Sequence, residues 1–229
     1  MIRWLVLGGA LAAAALTVAP TAGATNECRG LNPCVPVAGP WVVVPTGTGV
    51  PQPEVQYQLT CPRGFVVAGL DAELSDRAID ITFLGSSGAP VSPGVTTSRT
   101  VVFVGTYTGT SPRAPTFKPH AGCVPAAGGG QRTPTALKTV FPPGQPTVRR
   151  VTTAGVTSTR RIVAACRPGE RLVAWYSARG FDTQAPPAPA LVASLSTRVS
   201  VRGDSVVALA RAGRGQGVVQ VAAVCAGGA

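Results

Sequence analysis

The chain has 229 residues, with 20 Lys and Arg against 9 Asp and Glu for a formal net charge of +11, and with 28 Gly and 22 Pro. Breakers at that frequency exclude a protein of long helices. A single histidine, His120, and the lack of any Cys-x-x-Cys pair exclude the usual zinc centres, and they leave a Ser-His-Asp or Cys-His arrangement only one base to use.

Met1-Ile2-Arg3 is a short basic start, followed by an Ala-rich apolar run to Ala19 and the small residues Ala22-Gly23-Ala24. This is the pattern of a secretory signal peptide over residues 1–24, with cleavage expected after Ala24. The run falls short of the roughly 20 residues a spanning helix needs, and no later stretch is apolar enough to take that role. An extracellular or envelope-associated location suits the even set of six cysteines, which read as disulfides.

Residues 25–49 make an N-terminal segment in which Cys28 and Cys34 are close enough for a local bridge. Trp41-Val42-Val43-Val44 is a β-branched run placed to add an edge strand to the next unit or to lie across both later units.

Residues 50–127 form the first β unit. Tyr57, Leu59 and Cys61 share one face of an extended chain, as do Phe117, Pro119, Ala121 and Cys123, so both cysteines point inward from the first and last strands. Between them, a strand over Leu70 to Leu74 turns Leu70, Ala72 and Leu74 toward the core and Asp71 and Glu73 outward, with Asp76 and Asp80 in the turn beyond. Oxygen ligands so placed, Asp71, Glu73 and Asp76, can hold Ca²⁺, or two of them can act as acid and base on a sugar. The plainer alternative is a solvated face with Arg77 as counter-charge.

Residues 128–147, opening on Gly128-Gly129-Gly130, read as a Gly/Pro-rich connector to a second β unit over 148–229. There Ile162, Ala164 and Cys166, and again Val219, Val221, Ala223 and Cys225, repeat the inward alternation. Cys61-Pro62-Arg63-Gly64 opens a span that closes 62 residues on at Cys123, and Cys166-Arg167-Pro168-Gly169 opens one that closes 59 residues on at Cys225. The expected architecture is therefore all-β: two tandem small antiparallel sandwich-like units, each tied by a disulfide. Closing either loop stabilises by roughly 4 kcal/mol in the chain-entropy account. No helix is expected; Pro186 to Val192 comes nearest, and its prolines argue against one. Arg202-Gly203-Asp204 is placed as a hairpin turn, which is also how an adhesion tripeptide is displayed.

The Cys-Pro-x-Gly opening and the closing strand Val219-Gln220-Val221-Ala222-Ala223-Val224-Cys225 resemble a repeat found in exported proteins of high-GC bacteria, over most of residues 55 to 229. The resemblance implies a disulfide-framed β fold and export, and it carries no activity. The first unit departs from that closing motif with Lys118-Pro119-His120-Ala121-Gly122-Cys123.

Charge divides the chain. From residue 25 to 127 six basic residues balance six acids, whereas from 128 on thirteen basic residues face only Glu170, Asp182 and Asp204. A basic half beside a neutral one points to contact with an anionic polymer or surface, here through Arg149, Arg150, Arg160, Arg161 and Arg171. Specific nucleic-acid binding is not expected, because only Trp175, Tyr176 and Phe181 are available for stacking in that unit. Gly-x-Ser-x-Gly and phosphate-loop motifs are missing, His120 reads as an ordinary strand-edge residue, and no cofactor other than Ca²⁺ is suggested. The expectation is a non-catalytic binding or structural module, with a secreted hydrolase or Ca²⁺-dependent carbohydrate binder using the acidic cluster as the alternative.

Overall fold

The computed structural model describes residues 25–47, 49–85, 99–126, 147–213 and 215–227. The segment expected to be a signal peptide, residues 1–24, and nearly all of the expected connector lie outside them. The chain is all-β, with β1 (Val35–Ala38), β2 (Trp41–Val43), β3 (Glu54–Thr60), β4 (Phe65–Leu74), β5 (Ile79–Gly85), β6 (Thr100–Tyr107), β7 (Thr116–Pro125), β8 (Thr147–Val156), β9 (Thr159–Ala165), β10 (Glu170–Phe181), β11 (Leu195–Arg202), β12 (Ser205–Ala212) and β13 (Gly217–Gly227). One short helix, α1 (Pro189–Ser194), is a departure from the sequence expectation. Proline occupies its first turn, where the missing N–H costs no hydrogen bond, so Pro189 starts the helix instead of preventing it.

The strands form a seven-stranded sheet in the order β1-β7-β2-β10-β13-β8, with β4 on β7, and two three-stranded sheets, β3-β6-β5 and β9-β12-β11. The two small sheets share one connectivity, and β4–β7 and β10–β13 are both antiparallel pairs interrupted by a bulge near the start, at Val67/Gly69 and at Leu172/Ala174. Three disulfides join Cys28–Cys34, Cys61–Cys123 and Cys166–Cys225. Cys61 follows β3 and Cys166 follows β9, so in the second half one further strand, β8, precedes the cysteine-bearing strand.

The centre of the molecule is β2. It pairs with β7 through Val42↔Phe117 and Val43↔Thr116, and with β10 through Val42↔Gly180 and Trp41↔Phe181. Adjacent residues of a strand point to opposite faces, and here both faces are covered: Val42 enters one core with Phe103, Phe117, Tyr57 and Ala178, while Val43 enters the other with Phe181, Val206, Val219 and Val221. Antiparallel pairing on both sides of β2 makes β7 and β10 parallel, so β13 runs opposite to β7. Each three-stranded sheet therefore covers a different face of the large one.

A polar seam completes the junction. β3 is an edge strand of its sheet, and the backbone of Gln58 would be left unpaired there. Gln220, 3% exposed, supplies a substitute partner: the Gln58 N–H donates to its Oε1 at 2.7 Å, and its Nε2 donates to the Gln58 carbonyl at 3.1 Å and to Thr153 Oγ1 at 3.0 Å. Beside it, burial pushes the Tyr57 phenol up to about 12, and the Asp182 carboxylate adds to the shift. Replacing Gln220 by Leu removes the amide and orphans two half-buried backbone groups of Gln58, so Gln220→Leu is expected to lower the unfolding free energy by about 2 kcal/mol, read as a fall in the urea midpoint with unchanged slope.

Candidate functional site

Alternation along β9, β11 and β12 sorts the basic residues of the second half. Ile162 and Ala164 on β9, Val206, Ala208 and Ala210 on β12 and Leu195 on β11 are buried, which turns their sequence neighbours outward. The register aligns Arg161, Leu209 and Arg198 in one row across the three strands, and places Arg211 two residues along β12, between Ser196 and Thr159. Arg161, Arg198 and Arg211 are exposed, and their guanidinium groups have no hydrogen-bond or ion-pair partner among the described residues. Leu209 between them is 37% exposed. None of the three acids of this half answers them: Glu170 is held by Arg150, Asp204 Oδ1 accepts from the Leu172 N–H at 3.0 Å, and Asp182 acts on Tyr57.

The five arginines singled out from the sequence do not form one surface. Arg149 turns into the seam between the sheets, where NH1 donates to Gln56 Oε1 at 2.6 Å and the guanidinium lies 5.0 Å from the Tyr176 ring centroid. Burial makes its proton easier to lose, partly offset by Tyr176 and Glu54. Arg150 forms a two-point ion pair with Glu170, donating from Nε to Oε2 at 2.9 Å and from NH2 to Oε1. Arg160 NH1 donates to the Gly155 carbonyl at 2.8 Å, and Arg171 is exposed on β10. Only Arg161 belongs to the row. Arg198 and Arg211, which complete it, were legible in the alternation of Leu195–Arg202 and Ser205–Ala212 rather than in the clustering of charge along the chain.

The acidic cluster of the first half is also divided. Asp71 Oδ2 accepts from the Asn26 N–H at 2.7 Å and Oδ1 from the Ala72 N–H at 2.8 Å. Asp76 caps its own turn through Ala78 N–H at 2.9 Å and takes the Tyr107 hydroxyl at 3.0 Å. Glu73 Oε1 lies 2.8 Å from His120 Nε2. Among the described residues the one close grouping of three possible ligands is Cys166, Glu170 and Cys225, whose sulfurs are in a disulfide.

Asp71 and Glu73 share the outward face of β4 and are half-buried, with the Asn26 N–H resting on Asp71. Two sequence expectations are corrected here. His120 is not at a strand edge: β7 runs between β1 and β4, and His120 is 6% exposed. Leu74 was expected in the core and is 43% exposed, since β4 pairs only with β7 and its end is uncovered. What lets residues 26–34 approach is a pair of facing glycines, Gly69↔Gly122, that leave a notch for the Glu27 carbonyl. A Cβ at either would come within 1.7 or 2.1 Å of that oxygen.

The Arg202-Gly203-Asp204 tripeptide does occupy the β11–β12 turn, with Gly203 at φ +55°. Its aspartate is tied back to the body through the Leu172 N–H, and the Asp204 carbonyl takes the Cys166 N–H at 2.9 Å.

Comparison with known proteins finds no matching family model, no matching curated protein and no matching solved structure. Among the described residues no helix is long and apolar enough to cross a membrane, and three disulfides fit an oxidising compartment.

The Arg150–Glu170 pair has a readable signature. Hydrogen bonds from Arg150 and from the Arg167 N–H hold the Glu170 carboxyl below its ordinary range. A carboxylate depressed in the folded state contributes stability above its unfolded pKa and loses it as pH falls through the folded value. Glu170→Gln is therefore expected to show a smaller loss of stability than the native chain between about pH 5 and 2, measured as the denaturant midpoint across that range.

Proposed function

We propose that this is an exported, non-catalytic β protein built from two copies of one disulfide-tied five-strand unit, and that it binds a phosphate-bearing anionic polymer of the cell envelope through the outer face of the β9-β12-β11 sheet. The observation that carries this reading is the row Arg161–Leu209–Arg198 with Arg211 beside it, exposed guanidinium groups without a partner among the described residues, on a sheet face that Arg202 at the end of β11 shares by the same alternation. Adjacent strands lie about 4.8 Å apart, so the strands bearing Arg161 and Arg198 are separated by roughly 10 Å. That spacing suits successive anions along an extended chain better than one small anion, which would need convergent donors in a concave site. Guanidinium groups favour phosphate for its two-point geometry. Leu209 at the centre offers apolar contact to the links between anions.

The two-copy reading is supported by the shared connectivity of β3-β6-β5 and β9-β12-β11 and by the matched disulfides Cys61–Cys123 and Cys166–Cys225. Among its described residues the first half shows no counterpart to the basic row: on β6 and β3, Val102 faces Gln58, and Val104 faces Gln56. Binding therefore falls to the second half.

The test is retention of the full mature chain on an immobilised glycerol- or ribitol-phosphate polymer across a salt series. Exposed charges are screened over about 8 Å at physiological salt, and each arginine near a dense anionic surface contributes about 1 kcal/mol. The triple variant Arg161→Gln, Arg198→Gln, Arg211→Gln is expected to weaken binding about a hundredfold at low salt. A control with the same loss of charge, Arg63→Gln, Arg77→Gln, Arg113→Gln, is expected to weaken it far less. Equal losses in the two variants would mean that net charge, not this face, is responsible.

A further inference from the structure

We propose that the seam between the open edges of β10 and β11 is a strand-addition site, and that it takes an extended segment of a partner protein in which apolar and acidic residues alternate. This goes beyond the polymer reading and does not rest on it.

Two side-chain bonds define the seam. Arg179 NH1 donates to the Leu195 carbonyl at 2.7 Å, and the Leu172 N–H donates to Asp204 Oδ1 at 3.0 Å. Residues 172–179 therefore run alongside residues 195–204 in the opposite direction, pinned at both ends, over about 23 Å. Among the described residues β11 pairs only with β12, and β10 takes a second strand only at Gly180 and Phe181.

The hydrogen-bond parity of β11 is fixed at its start, where the Gly213 N–H donates to the Ser194 carbonyl at 2.8 Å. In an antiparallel ladder the mutually bonded pairs fall on every second residue, so Ser196, Arg198, Ser200 and Arg202 turn their backbone groups to β12. Thr197, Val199 and Val201 turn theirs to the open edge, and the bond from Arg179 to the Leu195 carbonyl, at the odd position before them, agrees with this. A row of outward N–H and C=O groups is a template for another strand.

The inner face of the seam is apolar. Trp175 stands opposite Ala223 and Val201 opposite Val206, and both partners are buried in the core between the sheets. Opposed residues share a face, so Trp175 and Val201 point to the core side. They are nevertheless 44% and 46% exposed, because among the described residues no strand closes the space between β10 and β11. An extended segment antiparallel to β11 covers them with every second side chain. At the Arg179 end the seam opens into a cavity of about 270 Å³ lined by Ser177, Arg179, Thr197 and Val44, with room for one of those side chains.

Charge selects the occupant. The outward side chains of an added strand stand beside Arg198 and Arg202. The acids of β10 and of the β11–β12 turn are already engaged, Glu170 by Arg150 and Asp204 by the Leu172 N–H. An acidic segment answers the two arginines, whereas the β11 edge of a second copy doubles the positive charge along the seam.

From residue 25 on the chain has two tryptophans, Trp175 and the 2% exposed Trp41, so emission from Trp175 reports the seam. The test is a fluorescence titration of the full mature chain with a blocked heptapeptide of alternating valine and glutamate. A saturable blue shift is expected, with binding about tenfold weaker in Val201→Gln. Val199→Pro removes a central edge donor and is expected to weaken binding at least as much. Independently of whether that variant folds, the same peptide N-methylated at its valines, which cannot bond to the edge, is expected to give no shift with the native chain. The proposal is overturned by no shift with the valine–glutamate peptide, by undiminished binding of the N-methylated peptide, or by an equal shift with a valine–lysine peptide or a polyol-phosphate oligomer.

Discussion

Three residues, Trp41, Val42 and Val43, decide how this molecule is put together. A strand normally buries one face and leaves the other wet. β2 buries both, with exposures of 2%, 0% and 6%, and takes backbone hydrogen-bonding partners on both edges. Side chains of this kind contribute about 1.5–3 kcal/mol each when fully buried, and here successive ones serve different cores. Neither half closes its core without it: Val42 fills a position beside Phe117, and Val43 fills one beside Phe181. Gly180, opposite Val42, has no room for a side chain, since a Cβ there would lie 2.8 Å from the Trp41 carbonyl. The two halves of the chain are consequently not beads on a string. The link between them is a shared strand and an amide-to-backbone seam at Gln220, whatever course the connector takes.

That junction also explains why the charge of the second half is not where a count along the chain puts it. Arg149 and Arg150 are neighbours in sequence and therefore point to opposite faces of β8. One enters the seam toward Gln56 and Tyr176, and the other meets Glu170. Arg179 likewise turns inward to the Leu195 carbonyl at 2.7 Å, and burial lowers its proton affinity. Among the described residues, Arg161, Arg198 and Arg211 remain unpaired on the outer face of the β9-β12-β11 sheet. On the proposed reading, stability and binding use different arginines, and the face left for a partner is the one turned away from the shared sheet.

Much of the fold was legible in the sequence because half-buried strands alternate. Tyr57, Leu59 and Cys61 and then Val219, Val221, Ala223 and Cys225 announced both the strands and two of the disulfides, and the local bridge followed from the spacing of Cys28 and Cys34. β2 was not legible in its role, since three consecutive apolar residues have no period, and only the arrival of β7 and β10 from far along the chain fixes their faces. α1 was hidden because Pro189 reads as a breaker until its position in the first turn is known. The candidate site was half legible. Cross-strand rows depend on register, so Arg161 and Arg198, 37 positions apart in the numbering, could be joined only once Leu209 was seen between them. Glu27 gave no signal at all: its burial depends on Gly69 and Gly122 facing each other, and nothing local marks that pairing.

The central claim is that the outer face of β9-β12-β11 meets an anionic polymer, and the most direct test is residue-resolved. A ¹⁵N-labelled chain titrated with a soluble polyol-phosphate oligomer reports the contact surface through amide and arginine side-chain shifts. The account predicts changes centred on Arg161, Arg198, Leu209 and Arg211 that disappear at high salt, with Arg149 and Arg150 unmoved. Shifts centred on Arg171 and the β10 face, or none at low salt, would contradict it.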